Sequence, residues 1–559
     1  MHDKIHELYS YFLKLGYIVK IEDDKISWNI NIKNNNFKLS IVIPEYYPFE
    51  FLKIKIINFS DFDFYIPHTL TGNYLCLYEV NSDRHNYKNY LEEAKETLQR
   101  AVDILEKSVE REVENQYKYE FSDIYPFLTS NQVNYFLSED YKTPKLLKSL
   151  EGFKDKDNKE KLRILYDTNY SIDSLGMLVS NLGIKDYKIK ESVLYIPVEN
   201  SNLSSPITKF ADLINVLENN KHFNFFAEKL IKGLSTITLG VYQEGINIPT
   251  ILCFKIEKLY FPKGKIVKKS SYKSILKINN SKLLINMKIN DLSQNKLIFR
   301  SGDGHSNRKL SFYIIGCGSL GSFLSKSICD TFDIENIILQ DNDILEVDNI
   351  GRHLCGLRSL NKFKSNEVAK VINNYYPHIN TKAIYTNILN EFLGKEKHLL
   401  SEKYDFLICV VGDENVEEQL IQMYEKKKLH TPLIIVWIEP YLVAGHILIF
   451  NGELNELSKS YIFDKERNIK LSVVQNVHQY SKSEAGCQSR FMPYSGFEVQ
   501  LFINKCVDLL MNNRYLEKKG NYHITYFGNM KEARGKNIEI KQQWTAKNNR
   551  ELFVTRFDE

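Results

Sequence analysis

Cysteine is scarce in this chain, and the spacing of its cysteines excludes two common kinds of cysteine site. The 559 residues include eight cysteines, and no two of them form a CxxC pair. Such pairs are typical of structural zinc sites and of dithiol redox centres. We therefore expect reduced thiols, so that a cysteine with a chemical role would act as a nucleophile.

Long apolar runs and a large excess of one charge are also missing. The runs LIIVWI and FLICVV have the length of strands, whereas a membrane helix needs roughly 20 apolar residues. The opening residues MHDKIHELYSYFLKLGY lack the pattern of a secretory leader. The 74 basic and 70 acidic residues give a net charge of +4, which is too mild to indicate nucleic-acid binding. These features predict a cytoplasmic protein with neither membrane nor nucleic-acid partners.

Residue patterns divide the chain into three blocks, which we predict as domains at 1–110, 111–295 and 296–559. In the first block, the runs KISWNINI, FKLSIVIP and LKIKIINF alternate as antiparallel strands do. Apolar residues then recur at helical spacing at Leu91, Ala94, Leu98, Val102 and Leu105. The first block is thus predicted to be an α+β domain, and strand-like runs in the second block predict a mixed connector domain.

The third block alternates strands and helices, which predicts a doubly wound, mostly parallel sheet of the Rossmann-like kind. Its first strand, LSFYII, is followed by the glycine turn GCGSLG and an amphipathic helix. Gly316, Gly318 and Gly321 would let phosphates approach the backbone and the N-terminus of that helix. The next strand ends at Asp341, where a dinucleotide fold places its ribose-binding acid. On these features alone, an NAD-dependent dehydrogenase is the leading interpretation.

The charged residues after Asp341 favour a triphosphate instead. Asn349, Arg352 and Lys364 follow it, and Asp413 comes after a later strand. Arginine and lysine at a phosphate site neutralise the charge that develops during attack on a triphosphate. A carboxylate at the end of a sheet strand is suited to hold Mg²⁺. A dehydrogenase that binds a diphosphate has no use for this set.

The ordered set GxGxxG, DxDxxxxxNxxR, a lysine twelve residues later and VVGDEN resembles the ThiF/ubiquitin-activating adenylyltransferase superfamily over roughly residues 300–510. The resemblance implies that Asp341 binds the ribose, that Asn349, Arg352 and Lys364 bind the phosphates, and that Asp413 carries Mg²⁺. Arg352 and Lys364 would also be catalytic. It further implies ATP as cosubstrate and a homodimer through this domain. Arg300 or Arg308 could reach the nucleotide of the partner subunit across that dimer, although a solvated surface arginine is the favoured interpretation of each. The absent CxxC pairs depart from many sulfur-carrier enzymes of the superfamily.

An acyl adenylate can be captured by a thiolate as a thioester, and Cys487 is the candidate for this step. It lies in SEAGCQSRFMPYSG, an irregular stretch of small residues, where Arg490 would favour the thiolate. Thioester-forming members of the superfamily keep their cysteine in a loop at the corresponding place. We expect Cys253, Cys329 and Cys409 to be buried and inert, and Cys317 to be a small filler of the glycine turn.

The first block resembles ubiquitin-conjugating enzymes over about 100 residues, in FKLSIVIPEYYPF followed by PHTLTGNYLCLYE. Tyr47-Pro48-Phe49 match the family's turn, His68 its histidine, and Cys76 its thioester cysteine. The family's His-Pro-Asn tripeptide is not kept, because Thr69 and Leu70 follow His68. Asn73 would either replace the missing asparagine or serve only as a turn residue.

Together the three blocks resemble the fused conjugating–activating enzymes of bacterial anti-phage (CBASS-like) operons. That resemblance implies activation of an operon-encoded cyclic nucleotide synthase at its C-terminus and its attachment to a lysine of a target protein. The chain ends in TRFDE, so we do not expect it to be its own modifier. Three alternatives stay open: a sulfur-carrier-type adenylyltransferase without conjugation, an NAD-dependent dehydrogenase, and a nucleotide-binding scaffold without activity.

Overall fold

The computed structural model shows two compact units, Met1–Thr168 with Asp186–Asp291, and Asn169–Lys185 with Leu292–Glu559. The structure describes residues 2–22, 25–70, 72–78, 83, 85–112, 132–154, 161–203, 207–243, 246, 248–256, 259–261, 268–298, 309–466, 469–483, 490–512, 515 and 518–558. No helix within these ranges combines the length and the apolar composition that crossing a membrane requires.

The first sheet of the first unit contains the alternating runs of the N-terminal block. Its strands are β1 (Val19–Glu22), β2 (Lys25–Ile32), β3 (Asn35–Val42), β4 (Lys53–Ile56), β5 (Thr69–Leu70) and β6 (Tyr74–Leu75). They are antiparallel in the order β1-β2-β3-β4-β6-β5. The helices His2–Lys14 and Tyr90–Val109 pack on one face, and Ala94, Leu98 and Leu105 are buried there. The predicted antiparallel strands and the amphipathic helix are confirmed.

The second sheet of this unit belongs to the connector block and mixes parallel with antiparallel strands. Its strands are β7 (Gln132–Leu137), β8 (Lys145–Phe153), β9 (Lys161–Tyr166), β10 (Lys185–Glu199), β11 (Thr236–Tyr242), β12 (Thr250–Ile256), β13 (Leu284–Met287) and β14 (Ile289–Asp291). Their order is β13-β12-β11-β10-β8-β9-β7-β14. The helices Phe210–Leu217, Phe223–Ile231 and Tyr272–Lys277 pack against it through a buried apolar cluster.

The second unit is built on an eight-stranded sheet. The strands of this unit are β15 (Leu310–Ile315), β16 (Ile334–Gln340), β17 (Asn380–Ile384), β18 (Phe406–Cys409), β19 (Leu433–Ile438), β20 (Ala444–Asn451), β21 (Lys482–Ser483), β22 (Arg490–Phe491), β23 (Gly520–Phe527) and β24 (Leu552–Arg556). The sheet order is β17-β16-β15-β18-β19-β20-β23-β24, and β21 pairs with β22 separately. The five strands from β17 to β19 in this order are parallel, whereas β20, β23 and β24 add antiparallel pairs.

Helices cover both faces of this sheet, as the doubly wound prediction requires. Consecutive residues of β15 point to opposite faces, so Ile314 packs with the helices Ser319–Thr331 and Lys364–Tyr375, whereas Ile315 packs with Glu414–Glu425. The other α-helices in the described part of residues 292–559 are Gln294–Ile298, Leu389–Phe392, His398–Ser401, Glu456–Ile462, Gly496–Asn512 and Met530–Gly535.

One helix from the middle block, Ile172–Asn181, packs on the second unit. Ser174 Oγ accepts a hydrogen bond of 2.7 Å from the main-chain N–H of Thr381 in β17. Asn181 Nδ2 donates to the carbonyl oxygen of Lys370 at 3.0 Å. These side-chain bonds fix the helix against the outer strand of the sheet and the helix Lys364–Tyr375. The middle block therefore supplies residues to both units.

Candidate nucleotide and thioester sites

The glycine turn lies between β15 and the helix Ser319–Thr331. Gly316 has a φ of +95°, and a Cβ there would lie 2.9 Å from the carbonyl oxygen of Val410. A Cβ on Gly321 would lie 2.0 Å from the carbonyl oxygen of Gly316. Gly318 has no atom within 4 Å of its Cβ position. Packing thus requires glycine at 316 and 321, while Gly318 leaves open space at a helix N-terminus, where anions bind readily.

Asp341 joins the glycine turn to the loop after β16. Its Oδ2 accepts a 2.6 Å hydrogen bond from the N–H of Cys317, and its Oδ1 accepts a 2.8 Å bond from the N–H of Asp343. Burial raises the pKa of this carboxyl group, against the two N–H donors and the Lys364 ammonium. Each carboxylate oxygen can accept a second bond. The site can therefore accommodate the ribose hydroxyl that the sequence assigns to Asp341.

Lys364 is held at the same edge of the sheet. Its Nζ lies 3.1 Å from Oδ2 of Asp343, and its main-chain N–H donates to the Asp343 carbonyl at 2.8 Å. The Lys364 side chain is 12% exposed, whereas that of Asp343 is 62% exposed. The next residue, Ser365, donates from Oγ to the carbonyl of Asp341 at 3.0 Å. The structure thus brings Asp341 and Lys364 together, as the sequence predicted for a nucleotide site.

Arg352 ends the short 3₁₀ helix Val347–Arg352, which Asn349 helps to close by accepting a 3.1 Å bond from the N–H of Glu346. The Arg352 Cζ lies 4.8 Å from the ring centroid of Tyr494. Its Nε is buried and has no hydrogen-bond acceptor among the described residues. A buried donor without an acceptor is unfavourable. Arg352 is therefore ready to donate to an anionic ligand.

Two further residues stabilise this site, and sequence reasoning missed both. Tyr494 donates from its hydroxyl to Ser319 Oγ at 3.1 Å. His353 Nδ1 accepts from the N–H of Cys355 at 3.0 Å, so its Nε2 carries the proton and donates to the Cys317 carbonyl at 2.7 Å. Burial lowers the pKa of His353, which favours this neutral form. The only sequence signal for His353 is its position directly after Arg352.

Asp413 lies at the carboxyl edge of the sheet, because β18 neighbours β15 and Ile315 pairs with Cys409. Its Oδ1 accepts a 2.9 Å bond from the N–H of Asn415 at the start of the helix Glu414–Glu425. Glu417 lies one turn further on, and burial with the charges of Glu414 and Asp413 raises its pKa to about 7. Its buried Oε1 has no partner among the described residues. This donor set of carboxylate oxygens is of the kind that Mg²⁺ prefers.

In the first unit, the structure brings His68 and Cys76 together. The N–H of Cys76 donates to the carbonyl of His68 at 2.6 Å, next to the β5–β6 hairpin. Cys76 is half-buried, and its Sγ lies 3.8 Å from the carbonyl oxygen of Tyr78. Asn73 has a φ of +65°, donates from its N–H to Leu70 and accepts at its carbonyl from Ile56. These features make Asn73 a turn residue of the hairpin.

The predicted family turn in this unit contains a cis peptide bond between Tyr47 and Pro48. Tyr47 is buried, and its hydroxyl donates to the carbonyl of Tyr90 at 3.1 Å. Lys4 Nζ donates to the Tyr47 carbonyl at 2.7 Å. Phe49 is exposed beside Tyr87, with ring centroids 5.6 Å apart. The turn thus contacts both helices of this domain.

Among the described cysteines, Cys76 alone is partly exposed. The others are buried: Cys253, Cys317, Cys329, Cys355, Cys409 and Cys506. Burial raises the pKa of each of these thiols, that of Cys253 to about 11. They are therefore poor nucleophiles near neutral pH, and the inert character predicted for Cys253, Cys329 and Cys409 agrees with their surroundings.

Several predicted residues lie outside the described residues, namely Cys487, Arg300 and Arg308. Arg490 belongs to β22, where the structure describes its backbone. Ser483 pairs with Arg490 and Lys482 pairs with Phe491. The strands β21 and β22 form one antiparallel pair, and they lie immediately before and after the stretch that contains Cys487.

Comparison with known proteins finds a family similarity in part of the second unit. Residues 293–454 match the ThiF family. A curated relative, the ATP-dependent ubiquitin transferase-like protein Cap2 of Pseudomonas aeruginosa (strain BWHPSA011 / Pa011), is 29% identical over 129 residues. The match covers 22% of this chain and 22% of the relative, so the chain spans about a fifth of that protein's length.

The solved structures that resemble this chain are more distant. MccB of E. coli, crystallised with MccA-N7isoASN, is 15% identical, with 44% of this chain and 64% of that chain covered and a TM-score of 0.29. The E. coli tRNA N6-threonylcarbamoyladenosine dehydratase TcdA, in complex with AMP, is 18% identical, with 24% and 56% covered and a TM-score of 0.22. TM-scores this low do not establish a common overall arrangement. From the family match, the glycine turn and the doubly wound sheet, the second unit contains a domain of the ThiF family.

Proposed function

We propose that this chain activates the C-terminus of a partner protein with ATP and conjugates it to a target amine. The partner's carboxylate oxygen attacks the α-phosphorus of ATP, and pyrophosphate leaves. The Cys487 thiolate attacks the acyl adenylate and releases AMP, after which the Cys76 thiolate takes the acyl group by thioester exchange. A lysine amine of the target then attacks the thioester, loses a proton and forms an isopeptide bond, while the Cys76 thiolate leaves.

The single observation that carries this proposal is the buried, unsatisfied Nε of Arg352 at the edge of the glycine turn. Lys364 lies at the same edge, near Asp341, which is bonded to the turn itself. Gly318 leaves open space at the N-terminus of the helix that follows the turn. Two cationic side chains and a helix dipole can stabilise the charge of a triphosphate during attack at its α-phosphorus. Arg352 and Lys364 would therefore be catalytic, and Asn349 would support the turn that presents Arg352.

Magnesium fits the carboxylates beside the turn, with Asp413 as its ligand and Glu417 as a buried carboxylate close by. A bound Mg²⁺ would neutralise phosphate charge and orient the triphosphate. Asp413 lies at the start of a helix, where its Oδ1 accepts a hydrogen bond from the N–H of Asn415. This bond limits the rotation of the carboxylate. Removal of divalent cations should accordingly prevent AMP formation.

The conjugating half of the proposal rests on Cys76. Its partial exposure distinguishes it from the six buried cysteines, and the hairpin places it against His68. The Pseudomonas relative, an ATP-dependent ubiquitin transferase-like protein, supports an ATP-dependent transferase. Together with the resemblance to fused conjugating–activating enzymes, this favours an operon-encoded cyclic nucleotide synthase as the activated partner, primed for anti-phage defence, in a cytoplasmic enzyme that dimerises through its ThiF-family domain.

A sulfur-carrier-type adenylyltransferase is the second candidate. The family match ends at residue 454, before Cys487, and excludes Cys76. The family match therefore supports adenylation equally for a conjugating enzyme and for a sulfur-carrier-type adenylyltransferase. The two candidates differ in the fate of the acyl adenylate, because only conjugation needs both cysteines.

A non-reducing gel tests the proposal directly. The chain is mixed with the cyclic nucleotide synthase encoded beside its gene, with and without ATP–Mg²⁺. We expect an ATP-dependent, thiol-sensitive adduct that is lost in Cys487→Ala and stays on Cys487 in Cys76→Ala. Cys253→Ala, which removes a buried thiol, serves as the control. AMP release without any adduct would instead support the sulfur-carrier alternative, and absence of both AMP and adduct would refute activation of this partner.

A further inference from the structure

The segment 493–496, here called the return segment, leads from β22 into the helix Gly496–Asn512. Its Pro493 carbonyl accepts a 2.7 Å bond from the N–H of Tyr441. A Cβ on Gly496 would lie 3.1 Å from the carbonyl oxygen of Gly351 and 3.3 Å from the Cα of Arg352. The return segment therefore packs directly against the backbone that carries Arg352. It begins two residues after Phe491, where the strand pair that flanks Cys487 ends.

Tyr494 in this segment contacts both sides of the proposed phosphate site. The face of its ring lies under the Arg352 guanidinium, with Cζ 4.8 Å from the ring centroid. Its hydroxyl donates to Oγ of Ser319 at 3.1 Å. Ser319 is the first residue of the helix that follows the glycine turn. One side chain thus connects the arginine with the helix N-terminus.

The chemistry of the ring explains why Arg352 keeps an unsatisfied donor. An aromatic face attracts a guanidinium group through its negative quadrupole, yet it offers no lone pair to the N–H groups. The ring can therefore fix Arg352 in place without consuming its hydrogen bonds. A carboxylate in the same position would pair with the guanidinium and compete with phosphate oxygens. The buried Nε of Arg352 without an acceptor agrees with this arrangement.

We propose that Tyr494 is a positioning residue for adenylation, which holds Arg352 toward the triphosphate and links the phosphate site to the chain that follows β22. This inference rests on the proposed function, since it concerns the same nucleotide site. Loss of the ring frees Arg352 to adopt other rotamers, so the arginine is no longer placed for the phosphates before ATP binds. Loss of the hydroxyl alone removes only the bond to Ser319.

Two substitutions separate these contributions. Tyr494→Leu removes the ring and the hydroxyl, whereas Tyr494→Phe keeps the ring. We expect Tyr494→Leu to weaken ATP–Mg²⁺ binding about tenfold, as calorimetry measures it, because a misplaced arginine loses its orientation. Tyr494→Phe should weaken binding by less, by about threefold. Tyr515→Leu is the matched control, since Tyr515 packs on Tyr522 in the same unit, with ring centroids 5.0 Å apart.

A double-mutant cycle separates positioning from a merely structural role. In an Arg352→Gln background, we expect Tyr494→Leu to change ATP affinity by less than twofold, because the group that it positions is gone. A packing residue would lower the melting temperature in both backgrounds without this coupling. Equal tenfold losses in both backgrounds, or unchanged affinity in a folded Tyr494→Leu variant, would overturn the inference. If Tyr494→Leu does not fold, Tyr494→Phe decides in the same cycle, and unchanged affinity in the wild-type background, or an equal loss in both backgrounds, is the contradicting result.

The wild-type chain distinguishes failure of this inference from failure of the proposed function. A wild type that binds no ATP–Mg²⁺ contradicts the proposed function itself. A wild type that binds ATP, with variants that bind equally well, contradicts only the role of Tyr494. With the partner protein present, the Tyr494→Leu variant should raise the KM for ATP more than it lowers the kcat of AMP release, because the contact acts on placement of the nucleotide.

Discussion

The main-chain N–H of Cys317 donates a 2.6 Å hydrogen bond to Oδ2 of Asp341. This bond ties the middle of the glycine turn to the end of the neighbouring strand β16, which is parallel to β15. The other oxygen of Asp341 accepts from the N–H of Asp343, whose own carboxylate pairs with Lys364. The shape of the phosphate site therefore depends on the half-buried carboxylate of Asp341.

Asp341→Asn should disturb both the fold of the turn and ATP binding. The amide places an NH₂ group against one of two main-chain N–H donors, so one charge-assisted hydrogen bond is lost, which costs about 1.5–3 kcal/mol. We expect a lower melting temperature and ATP affinity reduced at least tenfold, measured by thermal unfolding and calorimetry. Asp348→Asn, at an exposed position of the nearby 3₁₀ helix, is the control. Unchanged ATP affinity in Asp341→Asn would contradict this role.

Alanine substitutions at two glycines of the turn should have different effects on folding and on ATP binding. Gly321→Ala places a Cβ 2.0 Å from a carbonyl oxygen of the backbone, so the turn must move, at a cost of about 3 kcal/mol or more. Gly318→Ala meets no atom within 4 Å and should fold with a melting temperature close to that of the wild type. The added methyl group would occupy the space in which we expect the phosphates of ATP to bind, so ATP affinity should fall at least tenfold. A Gly318→Ala variant with full affinity would remove Gly318 from the site.

Prediction from the sequence succeeded where the signal is local. The run LIIVWI, which has the length of a strand, forms β19, and the apolar residues that recur at helical spacing from Leu91 to Leu105 lie in the helix Tyr90–Val109. The antiparallel direction of β20 is set by partners that local patterns do not reveal.

Contacts between distant parts of the chain could not be predicted. Tyr494 reaches Ser319 and Arg352 only because the helix Gly496–Asn512 packs on the helix Ser319–Thr331. The sequence around Tyr494 contains no local pattern that would indicate this role. Likewise, the burial that leaves Glu417 with a raised pKa depends on tertiary packing, although its spacing from Asp413 is visible in the sequence.

Lys364→Ala should affect the chemical step more than the fold. The Lys364 side chain is only 12% exposed, but its ammonium pairs with a carboxylate that is 62% exposed, so solvent screens the pair and its loss should cost little stability. Loss of a charge that stabilises the transition state lowers the rate by about a hundredfold or more. We expect that loss in kcat/KM for AMP release with the partner protein, at a nearly unchanged melting temperature. Lys370→Ala, which removes an ion pair with Glu367 on the same helix, should keep normal activity.

Buried histidines predict that the second unit loses stability in mild acid. Burial lowers the pKa of His353, of His523 and of His378, that of His378 to about 3. Unfolded histidine has a pKa of about 6.5, so below that pH the unfolded chain binds protons that the folded unit does not. The contribution of these histidines to stability is therefore constant above about pH 7 and falls as pH drops below 6.5, by up to about 1.4 kcal/mol per pH unit for each histidine.

Glu417 opposes this trend over part of the same range. Its pKa is raised to about 7 in the folded unit, against about 4.3 when unfolded, so it stabilises the fold at low pH and loses this contribution as pH rises through 7. Urea unfolding at several values between pH 4.5 and 8 should show a net loss of stability toward acid. Glu417→Gln should steepen that loss, and His378→Gln should reduce it. A wild-type stability that rises steadily from pH 6.5 to 4.5 would show that these histidines are not held neutral by burial.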